Sequence, residues 1–209
     1  MLRVINQGYQ SIVQSSQQFD GIAALLLRLY LAPVMIQAGW NKATSFPDIV
    51  AWFGNPEWGL GLPFPELMAF LATATELVGG VLLLIGLATR LVSIPLMITM
   101  LVAAFSVHWE NGWLAIADAN SWLADGTILH NESIMASADK VAAAKSLLQE
   151  YGNYDWLTSS GNFVILNNGI EFAITYFVML LVLFFMGGGR FVSVDYWLNN
   201  WVNKGNQPA

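Results

Sequence analysis

Apolar and polar positions divide the chain into four long runs and the segments between them. Apolar residues dominate 21–40, 66–87, 91–109 and 170–188, and at ~1.5 Å per residue each run is about one bilayer long. These runs predict four membrane-spanning helices. No stretch shows the ten-residue alternation of a transmembrane β-strand, which argues against a barrel. The predicted fold is all-α, an integral membrane four-helix bundle made by a single membrane domain over 1–209. An insertion at 110–169 separates the third and fourth spans and is expected to be extracytoplasmic. Shorter elements border the bundle. At 41–65, four prolines and the short IVAWF run predict an interfacial segment anchored by Trp52 and Trp58. The stretch 133–149 predicts a surface helix capped by Ser133 and stopped by Gly152. In the tail at 191–203, Val194, Trp197, Leu198 and Trp201 recur at i, i+3, i+4 and i+7, the pattern of an inner amphipathic helix. Val4, Ile5, Tyr9, Ile12 and Val13 are spaced loosely like one face of a short N-terminal helix.

Composition agrees with the pattern. Of 209 residues 56% are hydrophobic and 11% charged, with a mean hydropathy of +0.55, far from a soluble domain. Mostly polar residues precede the first run, Arg28 interrupts it and no small-residue cleavage site follows, so it reads as a retained helix. The absence of cysteine removes disulfides, thiolate metal sites and cysteine redox chemistry. Any redox role therefore needs a borrowed cofactor. Two histidines without a short-spaced ligand pattern give no metal site. The glycine pairs and triplet have neither P-loop spacing nor a basic patch, so nucleotide and nucleic-acid binding are not expected.

The formal charge is -6, but orientation follows Lys and Arg near the spans. Arg3, Arg90, Arg190 and Lys204 share one side of a four-span protein, which predicts that both termini are cytoplasmic. The insertion then lies outside, with seven acidic residues against Lys140 and Lys145. Lys42 is the near-membrane cation on the wrong side, and it needs a local reason.

An ionisable group at the bilayer centre costs at least ~2.5 kcal/mol, so Glu76, near the middle of the second run, needs a partner or a wet cavity. Arg28 shares a helical face with Ala32, Met35, Gly39 and Lys42, and Glu76 shares one with Ala69, Thr73 and Gly80. Counting residues from the run ends gives these two charges similar depths, so an Arg28–Glu76 pair is expected, serving either chemistry or helix register. Lys42, His108 and Glu171 each end a span at similar depth, which predicts a second polar tier able to hold a small ligand.

AGWNK at 38–42, LPFPELMAFLATATELVGGVLLLIGLATR at 62–90 and MLVAAFSVHWENG at 100–112 resemble the DoxX family of small four-helix membrane proteins. The resemblance places the family's polar pattern on Arg28, Gly39, Lys42, Glu76, Gly80, Arg90 and His108. It implies an association with membrane redox complexes, including a thiosulfate:quinone oxidoreductase subunit and an oxidative-stress complex. The long insertion and Trp-rich tail resemble the HvfX-like branch, associated with maturation of copper-responsive metal-binding peptides.

The resulting expectation is a redox accessory or oxidoreductase subunit holding a quinone-like carrier as its candidate cofactor. His108 or Glu76 would relay protons and Arg28 would stabilise developing charge. Lys42, Gly39, Thr73, Gly80 and Glu171 would form the ligand site, with Arg90 structural. The competing expectations are a scaffold for a protein or peptide partner docking on the outer insertion, and a small-solute or proton pathway. Oligomeric state stays open.

Overall fold

The computed structural model describes residues 6, 9, 10 and 19–205. Apart from Tyr9, the expected N-terminal helical face lies outside the described residues. Two compact units divide the chain, one formed by 1–100 with 176–209 and the other by 101–175.

The first unit contains the bundle core. Helix α1 spans Asp20–Thr44 and runs through Pro33. A short helix, α2, covers Phe46–Gly54, where the sequence predicts an interfacial segment. Helix α3 spans Pro65–Ile85, starting on a proline whose missing donor costs nothing at a helix N-terminus. It stops at Gly86, whose φ of 69° is the left-handed conformation that closes a helix cheaply only without a Cβ. Helix α4 begins at Thr89, so only Gly86, Leu87 and Ala88 separate it from α3.

Core side chains come from all four long helices: Ala24, Leu31, Ala32 and Met35, then Leu83, then Leu96 and Met100, then Leu180 and Leu183. The opposite faces are also apolar. Leu26, Leu29, Phe70, Leu71, Val78, Val81 and Ile98 are all exposed. An apolar exterior around a bundle whose buried positions include Thr73, Glu76, Thr89 and Ser93 reverses the arrangement of a soluble protein and suits lipid contact.

Residues 21–44, 65–85 and 89–111 form helices long and apolar enough to cross a membrane. The fourth apolar helix, α8 (Glu171–Met186), has 16 residues, ~24 Å at the standard rise, less than the ~30 Å hydrocarbon thickness. It stops short of the 188 expected from hydropathy because Gly187 takes a φ of 80°.

In the second unit the third span changes geometry. Helix α4, Thr89–Val102, gives way to a π-helical stretch over Ala103–His108 and a 3₁₀ turn over Trp109–Asn111. The insertion then carries α5 (Glu132–Met135), α6 (Ser137–Tyr151) and α7 (Tyr154–Leu157). The surface helix predicted from Ser133 differs at its start. Asn131, not Ser133, is the cap, accepting from the Ile134 amide at 3.3 Å, and the long helix starts only at Ser137. Among the described residues no strand forms, only isolated bridges at Ile116–Leu166 and Asp125–His130. The tail helix α9 (Val194–Gly205) exposes Trp197, Leu198, Trp201 and Val202, as its periodicity predicts.

Candidate functional site

The candidate site follows from how closely α1 and α3 approach. A Cβ on Gly39 would lie 2.5 Å from the Leu77 amide nitrogen, and one on Gly80 would lie 2.9 Å from the Ile36 amide nitrogen. Backbone therefore meets backbone along this seam, which small residues alone permit. One turn beyond Gly39, Lys42 extends along the seam and its Nζ donates to Glu76 Oε2 at 2.5 Å. Glu76 is 3% exposed, whereas the Lys42 side chain is 23% exposed. The carboxylate is thus enclosed and its partner reaches the edge of the bundle. Thr73, on the same face, donates to its own helix at the Ala69 carbonyl, 2.7 Å away.

The expected Arg28–Glu76 pair does not form. Arg28, 1% exposed, directs its fork to four backbone bonds: Nε to the Leu83 carbonyl at 2.7 Å, Nη2 to Leu84 at 2.9 Å, and Nη1 to Gly188 at 2.5 Å and Val192 at 3.2 Å. Two physical effects separate the charges. Side chains lean toward the N-terminus of their own helix, so on antiparallel helices Arg28 and Glu76 lean apart while Lys42 leans toward Glu76. The ends are also staggered. Glu76 lies level with Gly39, because Gly39 packs directly against Leu77, and Gly39 is about 16 Å along α1 from Arg28 at the helical rise. Arg28 instead completes the open carbonyls at the α3 C-terminus, where a cation also opposes the negative end of the helix dipole.

The sequence model of the DoxX family matches residues 23–109. The chain is also 35% identical, over 97 residues covering 46% of its length and 68% of the relative's, to "Putative oxidoreductase CatD" of Bacillus subtilis (strain 168). The chain belongs to the DoxX family. A second relative, an uncharacterized protein of Haemophilus influenzae, is 30% identical over 97 residues, 45% of this chain and 62% of the relative. No solved structure matches the chain significantly. The matched DoxX segment ends at Trp109, just past the π-helical stretch, so the whole insertion lies beyond it.

In the second unit, the His108 Nδ1–H donates to the Asn168 carbonyl at 2.9 Å, and Asn111 Nδ2 donates to the same oxygen at 3.1 Å. A neutral imidazole held this way keeps Nε2 as an acceptor. π-helical turns of this type often mark functional positions. Glu171 Oε2 accepts from the Ala115 amide at 2.9 Å, so this carboxylate fastens the start of α8 to the insertion. Arg90 donates through Nη2 to the Phe185 carbonyl at 3.0 Å, joining α4 to α8.

Sequence reasoning missed Asp195. Its two carboxylate oxygens accept from the Ala88 and Thr89 amides at 2.6 and 2.9 Å, supplying the acceptors that the N-terminus of α4 lacks. A lone acid in the tail helix has no sequence signature for a cap on a helix more than a hundred positions away. Lys42 did have a signal: the predicted orientation puts this cation on the disfavoured side, and the structure pairs it with Glu76.

Proposed function

We propose that this DoxX-family chain is an inner-membrane redox accessory whose Lys42–Glu76 seam receives a quinone-like lipophilic carrier. The observation that carries the proposal is the ammonium–carboxylate contact on a glycine-lined seam, enclosed at Glu76 and open at Lys42. The donor set suits such a carrier. Lys42 commits one of its three N–H donors to Glu76 and keeps two for a carbonyl oxygen, and a buried carboxylate can exchange a proton with a neighbouring hydroxyl. A quinone, when bound, supplies two-electron, two-proton chemistry. Lys42 then orients the carrier and offsets negative charge on its oxygen, Glu76 holds or releases the proton, and the glycines at 39 and 80 keep the approach narrow. Arg28, with four donors on carbonyls, holds the helix ends in register and acts as a positioning residue. The relative named as an oxidoreductase supports the redox class.

The test is extraction of the gently purified protein followed by quinone analysis and a reduced-minus-oxidised ultraviolet spectrum. The proposal expects near-stoichiometric quinone in the wild type and loss of it in Lys42→Met. Equal, trace quinone in both would refute it.

A second reading, a scaffold for a protein or peptide partner such as a metal-binding peptide under maturation, draws support from the insertion. Trp122, Ile128, Tyr151, Trp156 and Leu166 are all exposed there. Maturation of a partner that needs the insertion yet tolerates Lys42→Met would favour this reading over the first.

A further inference from the structure

The first unit contains a cavity of about 590 Å³ remote from the Lys42–Glu76 seam. Its wall is formed by the first turn of α4, the glycine-rich loop after α8 and the first turns of α9, and it includes Arg90, Arg190, Asp195 and Tyr196. The size is in the range of small-molecule sites.

Its charge is unbalanced toward cation donors. Arg90 is oriented by the single bond from Nη2 to the Phe185 carbonyl, which leaves the rest of its fork available. Among the described residues Arg190 makes no hydrogen bond or ion pair and is exposed. The one carboxylate in the wall, Asp195, has both oxygens engaged by the Ala88 and Thr89 amides. Two guanidinium groups therefore line the cavity, Arg190 without an acceptor and Arg90 with only the Phe185 carbonyl, the arrangement that binds phosphate oxygens through paired N–H donors.

The rim is apolar. Leu91 is 71% and Met186 42% exposed, and both belong to the cavity wall, with Phe185 exposed beside Met186. These side chains continue the lipid-facing surface of α4 and α8. Trp197 and Trp201 on α9 are also exposed, as interfacial anchors are. A ligand that matches this surface has an anionic head for the arginines and an acyl tail for the rim.

We propose that this cavity is a lipid site that seats the phosphate of an anionic phospholipid. Basic pockets among spanning helices at the membrane boundary bind such headgroups. The proposal does not depend on the redox reading, because no residue is shared between the two sites.

The test is native mass spectrometry of the full chain exchanged into mixed phosphatidylglycerol and phosphatidylcholine. Wild type should retain phosphatidylglycerol about tenfold over phosphatidylcholine, each arginine near the surface contributing a several-fold preference. Arg190→Gln should cut the preference several-fold with an unchanged melting temperature, and Arg90→Gln combined with Arg190→Gln should abolish it. If the double variant fails to fold, the single Arg190→Gln variant decides. No preference in the wild type, or an intact preference in Arg190→Gln, overturns the proposal. Displacement of bound phosphatidylglycerol by millimolar inorganic phosphate assigns the cavity to a soluble phosphate compound and overturns it equally.

Discussion

Lys42 and Arg28 occupy the same helical face, yet they resolve their burial differently, and that difference defines what each can do. Lys42 has a single contact to Glu76 and remains partly exposed, so it has donors left for a ligand. Arg28 has no solvent exposure to speak of and bonds to four carbonyls. Removing one member of the Lys42–Glu76 pair leaves a lone charge in a site that lipid does not solvate. We expect Lys42→Met and Glu76→Gln each to destabilise by roughly 2 to 4 kcal/mol, below the fully buried limit because Lys42 is partly exposed, and the double variant by less than their sum. A melting-temperature cycle in detergent measures this coupling. The same cycle on Arg28→Met and Glu76→Gln should be additive, since residues this far apart rarely couple. Coupling in the second cycle and additivity in the first would reverse the assignment of partners.

At the scale of elements, the α1–α3 seam is set by glycine rather than by large apolar side chains. The backbone position of Gly39 against Leu77 leaves no room for a Cβ, and no rotamer change can relieve a clash with a main-chain nitrogen at 2.5 Å. At Gly79 the nearest atoms belong to the Leu96 side chain, 3.2 Å away, and that side chain can turn aside. Gly39→Ala should therefore cost about 1 to 3 kcal/mol, the usual penalty of overpacking, and Gly79→Ala clearly less. Thermal melts of the two variants in one detergent compare them directly. Equal melting temperatures would mean that the helices are not held at this separation. The Lys42–Glu76 contact depends on the same seam, so Gly39→Ala should also lower quinone retention if the proposed function holds.

For the whole molecule the relevant physical quantity is the distribution of cations between the two sides of the membrane. Arg3, Arg90, Arg190 and Lys204 fall together when four spans are counted, and Lys42 on the opposite side is offset by Glu76. From this distribution the orientation rule predicts cytoplasmic termini and an insertion on the outer side. Single cysteines at Ala142 and Gln207 test this in intact cells. Ala142→Cys should react with an impermeant thiol reagent and Gln207→Cys should not. Labelling only at Gln207→Cys would invert the topology.

The all-α fold and three of the long apolar helices were legible in the sequence, because lipid requires continuous apolar helices and composition records that requirement residue by residue. The family was legible through the resemblance of the motifs at 38–42, 62–90 and 100–112 to DoxX proteins, and the DoxX model matches 23–109. Partner identity was not. Depth counted from the ends of hydropathic runs put Arg28 beside Glu76, but the stagger of α1 against α3 and the opposite lean of side chains on antiparallel helices gave Glu76 to Lys42 and Arg28 to the helix-end carbonyls. The Asp195 cap on the start of α4 and the arginine-walled cavity depend on the chain turning at Gly187 and returning past the end of the bundle. Local sequence carries helix and burial preference, whereas contacts between segments more than a hundred residues apart exist only once the helices have packed.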